Sequence, residues 1–383
     1  MKVKDQRKTG RRRLIVRRAA AVVLAAAASF GAWLYVSLYV PVGGGRQATR
    51  FNVPEGASLA DVADELKASG LIRSARAFRL AAAWGDGWRQ AKAGDYALRR
   101  DMSAIEIARA FERGDVISEW VTVPEGLPLW QVAALVESRG LDGAEELLRA
   151  AESPPDLAVG FPLPPGSLEG YLFPDTYKVA RHPGASRELV KMMLARFDEV
   201  VWRGLLDGRP PRDVAGVAVS LSQETDAGGA RGRGEPSGAG AAANSSSLHA
   251  LITLASLVEG EAKLDSERPL IAGVLTNRLK QGMKLECDAT VQYALGPNRK
   301  ARLTYADLAV ESPYNTYLYP GLPPGPISSP GRASIEAALH PAVTPYLFYV
   351  ARADGSHVFS RSYAEHLRAV ARVRAAPPRR GSQ

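Results

Sequence analysis

VPEGASLADVADELKASGL, residues 53–71, returns as VPEGLPLWQVAALVESRGL at residues 123–141, with nine of nineteen positions identical at an offset of 70. In each copy a short strand ends at Pro-Glu-Gly. Leu59, Val62, Ala63 and Leu66 in the first copy, and Leu129, Val132, Ala133 and Val136 in the second, then follow at the spacing of one helix face. Gly70 and Gly140 stand where a helix C-cap belongs. Glu55 and Glu125 each fall near a helix N-terminus, where the backbone dipole favours a carboxylate, and this accounts for both without chemistry. Two copies are too few for a solenoid, so the repeat predicts a duplicated strand-helix element. Between them AIEIARAF, residues 104–111, predicts another amphipathic helix after a start signal at Asp101–Ser103. The fold class is therefore α+β, with a small module over 49–118 and a larger mixed α/β domain over 119–373.

A chain of 383 residues has room for two domains, and a 46% hydrophobic content supports a packed core. The net charge of +9 is concentrated at the start. Residues 1–18 carry nine Lys or Arg against Asp5, and without them the balance is about +1. Such a remainder gives no electrostatic footprint for a phosphate backbone, so no nucleic-acid partner is expected.

AAAVVLAAAASFGAWLYVSLYV, residues 19–40, runs for 22 residues without a charge, and about 20 suffice to cross the hydrocarbon core. By the positive-inside rule, residues 1–18 form a basic cytoplasmic tail, with Trp33, Tyr35 and Tyr39 near the outer interface. Everything after Pro41 is then extracytoplasmic. A cleaved signal peptide is the competing reading: alanines before Phe30 offer a cleavage site, and Arg11 to Ile15 resembles a twin-arginine signal. A secretory apolar core usually spans only about 7 to 15 residues, which favours an uncleaved single-pass anchor in the cytoplasmic (inner) membrane. Cys287 is the one cysteine, so no intrachain disulfide forms, and it reads as a small buried apolar residue.

Beyond the second repeat, PPGSLEGYLFPDTY (164–177) is an aromatic, Pro-bounded stretch, followed by a helix from Ser186 through Trp202. Residues 223–247 have few bulky apolar side chains and predict a disordered insertion inside the domain, with a helix restarting at Ser247. The helix pattern over Tyr363–Val373 gives way to a flexible polar tail, 374–383.

The segment LHALITLASLVEGEA, residues 248–262, is an apolar helix that acquires two carboxylates in its last turns. Glu259 falls below Ile252, Ala255 and Ser256, and Glu261 below Leu254, Leu257 and Val258; periodicity alone does not choose between them. A carboxyl group in apolar surroundings holds its proton to higher pH, the property a general acid needs. Downstream, LKQGMKLECDATVQYALG (279–296) and SPYNTYLYPGLPPGPISSPG (312–331) bring Asp288, Thr290, Tyr314, Asn315 and Tyr317 into Pro- and Gly-bounded loops. Aromatic faces, amides and carboxylates suit a sugar polymer, whose rings stack and whose hydroxyls need partners.

These stretches, together with LEGYLFPDTY (168–177), LASLVEGEA (254–262), Asn277-Arg278-Leu279 and AALHPAVTPYLFYVARADGSHVFS (337–360), resemble in order and spacing the YceG-like, or MltG, family of endolytic murein transglycosylases. The resemblance covers about residues 50–370. It implies that Glu259, the first acid of a Val-Glu-x-Glu motif, protonates the bond between N-acetylmuramic acid and N-acetylglucosamine in a peptidoglycan glycan strand. The same residue then takes the proton of the muramic C6 hydroxyl as that oxygen closes a 1,6-anhydro ring. The nucleophile belongs to the substrate, so the resemblance implies neither metal nor cofactor. It makes the module over 49–118 resemble a LysM-like glycan-binding subdomain. Within the motifs it implies Asn315 as the first choice for orienting the sugar or the acid, with Tyr314, Tyr317, Asp288 and Glu169 as further substrate-binding candidates. Anchorage beside the membrane implies nascent strands as substrate and proximity to cell-wall synthases. Two departures stand out. Gly260 replaces the Lys that family members commonly carry between the two acids, and the 223–247 insertion is longer than usual.

Two other function classes compete. A hydrolytic muramidase would use Glu261, Asp288 or Glu311 as a second carboxylate. A non-enzymatic scaffold would only hold glycan at the membrane. His182, His249, His340, His357 and His366 show no HExxH or similar ligand spacing, which disfavours a zinc amidase, and His357 reads as support for a hairpin after Asp354-Gly355. Gly-x-Ser-x-Gly and Ser-x-x-Lys signatures of serine hydrolases are absent from the sequence.

Overall fold

The structure, a computed structural model, describes residues 3–54, 56–84, 92–152, 159–164, 166–211, 214, 237–300 and 302–375, with residues 3–16, 83–84 and 237–246 described by backbone alone. The chain divides into two compact units, one of residues 1–119 with 180–183 and one of residues 120–179 with 184–383.

In the first unit, α1 (Val3–Tyr39) is followed by β1 (Ala48–Val53), α2 (Leu59–Ala68), α3 (Ala75–Trp84), β2 (Gly94–Arg99) and α4 (Ala104–Arg113). Strand β1 pairs antiparallel with β2, from Ala48 opposite Arg99 to Val53 opposite Gly94. Phe51, Tyr96, Phe78 and Phe111 fill the core with Val62, Leu66 and Ile107. Tyr96 meets the Phe111 ring edge-on at 4.7 Å, the orientation aromatic quadrupoles favour. Ser58 caps α2 by accepting from the Asp61 amide, and Ser103 with Glu106 forms a reciprocal capping box on α4.

Within α1 the stretch Arg17–Tyr39 is long and apolar enough to cross a membrane, and its residues from Arg17 to Trp33 are exposed. The helix also runs back through the basic segment expected as a tail, starting at Val3. Lys and Arg are good helix formers, so apart from Gly10 nothing there halts the apolar helix as it extends. At its other end Ser37 and Leu38 are buried among α3 and α4. The Arg73 guanidinium donates to the carbonyls of Val40 (3.3 Å) and Pro41 (2.7 Å), and the Gly43 amide donates to the Arg100 carbonyl at 3.0 Å.

The second repeat begins in β3 (Ser118–Thr122) and continues through α5 (Leu129–Ser138) and α6 (Ala144–Glu152) to β4 (Thr176–Ala180), which pairs with β3. Each copy of the repeat thus folds as strand, helix, helix, strand, with the outer strands paired. The sequence repeat covers only the first half of that unit. Gly70 and Gly140 both take left-handed backbone (φ 66° and 65°) just past a helix end, where a side chain would be strained. Glu55 lies outside the described residues.

The rest of the second unit is built around α8 (Ser237–Glu261), which packs against α9 (Arg268–Lys280), α10 (Asp288–Ala294) and α11 (Arg332–Leu339). Leu248, Leu251, Ile252, Leu254, Ala255, Leu257 and Val258 are all buried, as a helix apolar on every side requires. It starts ten residues before the expected Ser247, because Ala239 and Ala241 to Ala243 extend the helical run into the segment expected as an insertion. Residues 223–236 of that segment, and 376–383 of the expected tail, lie outside the described residues. Helix α7 (Ala185–Phe197) precedes α8. After α11 come the hairpin β5 (Phe348–Ala351) and β6 (His357–Ser360) and then α12 (Tyr363–Ala375). His357 sits in that hairpin opposite Ala351, its Nδ1 2.7 Å from the Glu267 carboxylate.

Candidate active site

The second unit alone brings several chain segments together around the last turn of α8. Glu259 projects there with only 8% of its side chain accessible, and both of its oxygens are engaged. Oε1 accepts from the Arg268 guanidinium at 3.0 Å, and Oε2 accepts from the Gly331 amide at 3.0 Å. Arg268 is itself buried, held by Asp265 at 2.9 Å and by the Ser334 hydroxyl. A buried guanidinium with this many partners is a fixed cation and gives the carboxylate one geometry.

Two further segments reach the same point. The loop 328–331 lies against the turn at 126–127, where the Gly126 amide donates to the Ser329 carbonyl (2.8 Å) and the Ser329 amide to the Leu127 carbonyl (2.9 Å). Ser256, one turn before Glu259, accepts from the Ile327 amide at 3.0 Å and so holds that loop to α8. The turn places Glu125 directly over Gly331 and Gly126 over the Glu259 side chain, so close that a Cβ on Gly331 would fall 2.0 Å from the Glu125 Cδ. Burial and the nearby Glu259 charge push the Glu125 carboxyl above its ordinary range, against the pull of Arg268. Sequence reasoning left Glu125 as a turn residue and did not find Arg268, whose contact with Glu259 spans a break between two helices and leaves no periodic trace.

Glu261 has a different set of neighbours. Its carboxylate accepts from the Tyr349 hydroxyl at 3.1 Å, and burial followed by the Asp288 charge raises its proton affinity. Exposed Asp288 accepts from the Tyr317 hydroxyl at 2.7 Å, so these two candidates form a pair on the Glu261 side. Cys287 beside them is fully buried, and burial pushes its thiol up. Gly260 has a structural reason: a Cβ there would stand 2.6 Å from the Ala289 Cβ, so α10 occupies the space a side chain would need.

Asn315 differs from expectation. It is fully buried, its amide nitrogen donates to the carbonyls of Leu308 (3.0 Å) and Val310 (2.8 Å), and its carbonyl accepts from the Tyr317 amide (3.0 Å). With both amide hydrogens spent on its own loop, it shapes the Tyr314–Tyr317 segment rather than reaching a sugar. The Tyr314 ring lies 4.8 Å from that of Tyr293, tilted by 49°, and the Tyr293 hydroxyl lies 3.3 Å from Glu169. Glu311, the remaining rival carboxylate, is exposed.

Glu169 is buried and accepts the Leu129 amide on both oxygens, at 3.1 and 3.0 Å. It caps α5, whose own N-cap, Pro128, offers no side-chain acceptor. Burial raises its carboxyl to about 7. The folded chain therefore keeps a proton that the unfolded chain releases near 4.5, and stability falls as pH rises between those values. At most about 3 kcal/mol is lost across that window. Glu169→Gln should flatten the dependence, read as denaturation midpoints at about pH 5 and about pH 8; an unchanged slope would remove Glu169 as its source.

The profile of the YceG-like family matches residues 51–372. A protein of Bacillus subtilis (strain 168), named an endolytic murein transglycosylase, is 32% identical over 355 residues, covering 88% of this chain and 89% of that protein. A Streptococcus pneumoniae (strain R6) protein of the same name is 28% identical, over 83% of this chain and 57% of its own length. A crystal structure of a YceG-like protein from Listeria monocytogenes aligns with 85% of this chain and 99% of its own at 28% identity, with a TM-score of 0.49. With the family profile spanning both units and a relative matched over nearly its whole length, this chain is a member of the YceG-like family.

Proposed function

We propose that the chain is a membrane-anchored endolytic peptidoglycan transglycosylase that cuts nascent glycan strands between N-acetylmuramic acid and N-acetylglucosamine, leaving 1,6-anhydro ends. The observation that carries this reading is Glu259, a carboxylate at the end of a buried helix, fixed by Arg268 and the Gly331 amide where three chain segments meet. Family membership and the names of the relatives support the same reaction class.

In that reaction Glu259 gives its proton to the bridging oxygen as the bond from the muramic C1 breaks, the bonding electron pair leaving with that oxygen. The C6 hydroxyl oxygen then bonds to C1 and its proton passes to Glu259, so the side chain ends as it began. Tyr314, Tyr317, Asp288 and Glu169 remain proposed contributors to glycan binding: Tyr317 and Asp288 from the rim, and Glu169 through Tyr293 and the Tyr314 ring. Arg17–Tyr39 of α1 is proposed as a single span of the cytoplasmic membrane, with the basic end inside and both units outside. The strand-helix-helix-strand order of the first unit supports a LysM-like glycan-binding module, and nearness to the membrane supports contact with cell-wall synthases.

Mass spectrometry of purified glycan strands after digestion tests the reaction. The expected products are internal fragments ending in 1,6-anhydro-muramic acid. Reducing ends would mean that water, not the C6 hydroxyl, attacks C1. Binding without any cutting would leave a scaffold.

A further inference from the structure

To protonate a leaving oxygen, Glu259 must hold a proton. Its two oxygens nevertheless face Arg268 and the Gly331 amide, donors of the kind a carboxylate accepts. A second carboxyl group lies against the same glycine. Glu125 rests over the Gly331 Cα while Glu259 accepts from the Gly331 amide, and the backbone next to Glu125 faces the same side chain, since a Cβ on Gly126 would lie 3.4 Å from the Glu259 Cγ.

The conformation of Gly331 makes this approach informative. Its φ of −76° and ψ of 168° are extended backbone that any residue adopts, so no turn requires glycine there. What requires it is space: a side chain would collide with the Glu125 carboxyl. Glycine at 331 is what lets two carboxyl groups share one residue.

Building on the reading of Glu259 as the catalytic acid, we propose that Glu125 is the residue that positions its proton: Glu125 and Glu259 form a carboxyl pair around Gly331 that holds a single proton between them, keeping Glu259 loaded when the glycan arrives. Two neighbouring carboxyl groups resist ionising together, and one shared proton is the usual result. The charges facing the pair are Arg268, which favours the ionised form, and Asp265, which opposes it. Burial and the Glu259 charge raise the Glu125 carboxyl, so the two groups resist being ionised together. The residue as a whole remains solvent-exposed, so the pair can exchange that proton with water. Because Glu259 recovers from the C6 hydroxyl the proton it gives to the leaving oxygen, the pair returns to one proton after each cut, and no other reactant is consumed.

The test is the pH profile of kcat/KM for the full chain in detergent, with Glu125→Gln, Glu125→Asp and Gly331→Ala beside the unaltered protein. Gln removes the like charge that makes the pair retain its last proton. The alkaline limb should therefore move to lower pH by about one unit, and the rate above that limb should fall about tenfold. Asp should recover part of the shift. Gly331→Ala, which displaces the Glu125 carboxyl but keeps the 331 amide, should move the limb in the same direction, and it decides the matter if the Gln protein does not fold. A limb that stays in place, whether or not the rate falls, would overturn the proposal and leave Glu125 a merely structural residue. Cutting that survives Glu259→Gln would instead show that the acid lies elsewhere, a failure of the underlying reading visible without any Glu125 variant.

Discussion

Glu259→Gln is expected to lower glycan cleavage by about a thousandfold or more, with glycan binding retained. The amide has nearly the shape of the carboxyl but no transferable proton. It also fits its surroundings badly: one end can still accept from Arg268 or from the Gly331 amide, while its NH2 must face the other donor. Some loss of stability should therefore accompany the loss of activity, and the two are separated by comparing thermal midpoints with cleavage rates. Glu259→Asp keeps the acid but withdraws it by one methylene from both donors, so it should retain a trace of activity. A Gln protein cutting within tenfold of the unaltered rate would show that Glu259 is not the proton donor.

Arg278→Ala should cost about 3 to 5 kcal/mol of stability, the largest structural loss expected from one residue here. The guanidinium donates to the carbonyls of Leu347 (2.7 Å), Lys284 (2.9 Å) and Leu285 (3.0 Å) and to the Glu286 carboxylate (2.9 Å). It also lies 5.0 Å from the centre of the Phe348 ring. One side chain thus ties α9 to β5 and to the loop before α10, and its removal leaves several partly buried acceptors unpaired. Lys cannot reproduce the fork, so Arg278→Lys should recover little. Urea denaturation measures both, and a loss under about 1 kcal/mol for Ala would mean that water replaces these bonds.

The parts of this fold that were legible in sequence are those written in local pattern. The apolar run of α8 announced a central helix, and the repeat announced two strand-helix starts with left-handed glycines behind them. The second helix and closing strand of each repeat were not legible, because the two copies diverge after Leu71 and Leu141. The proposed site was half legible. Glu259 stood out as a carboxylate in apolar sequence, and the family motif chose it over Glu261. Arg268 and Glu125 could not stand out, since Arg268 meets Glu259 across the break between two helices, Glu125 comes from a segment far away in the chain, and each residue alone reads as ordinary. Asn315 was ambiguous for the opposite reason: an amide able to bind a sugar is equally able to close its own loop, and sequence does not show which partner is nearer. His357 was read correctly as hairpin support because a turn at Asp354-Gly355 is a local event.

The end of α1 changes what anchoring means for this molecule. Ser37 and Leu38 are part of the first unit's interior, Arg73 grips the carbonyls of Val40 and Pro41, and the first glycine of the Gly43–Gly45 stretch is bonded to Arg100. A tether of free glycines would let its cargo roam a hemisphere above the bilayer. With α1 in a bilayer and its last turns built into the first unit, that unit instead travels like a puck on ice, at constant height and with a constant face toward the membrane. Its motion becomes two-dimensional, confined to the plane of that bilayer.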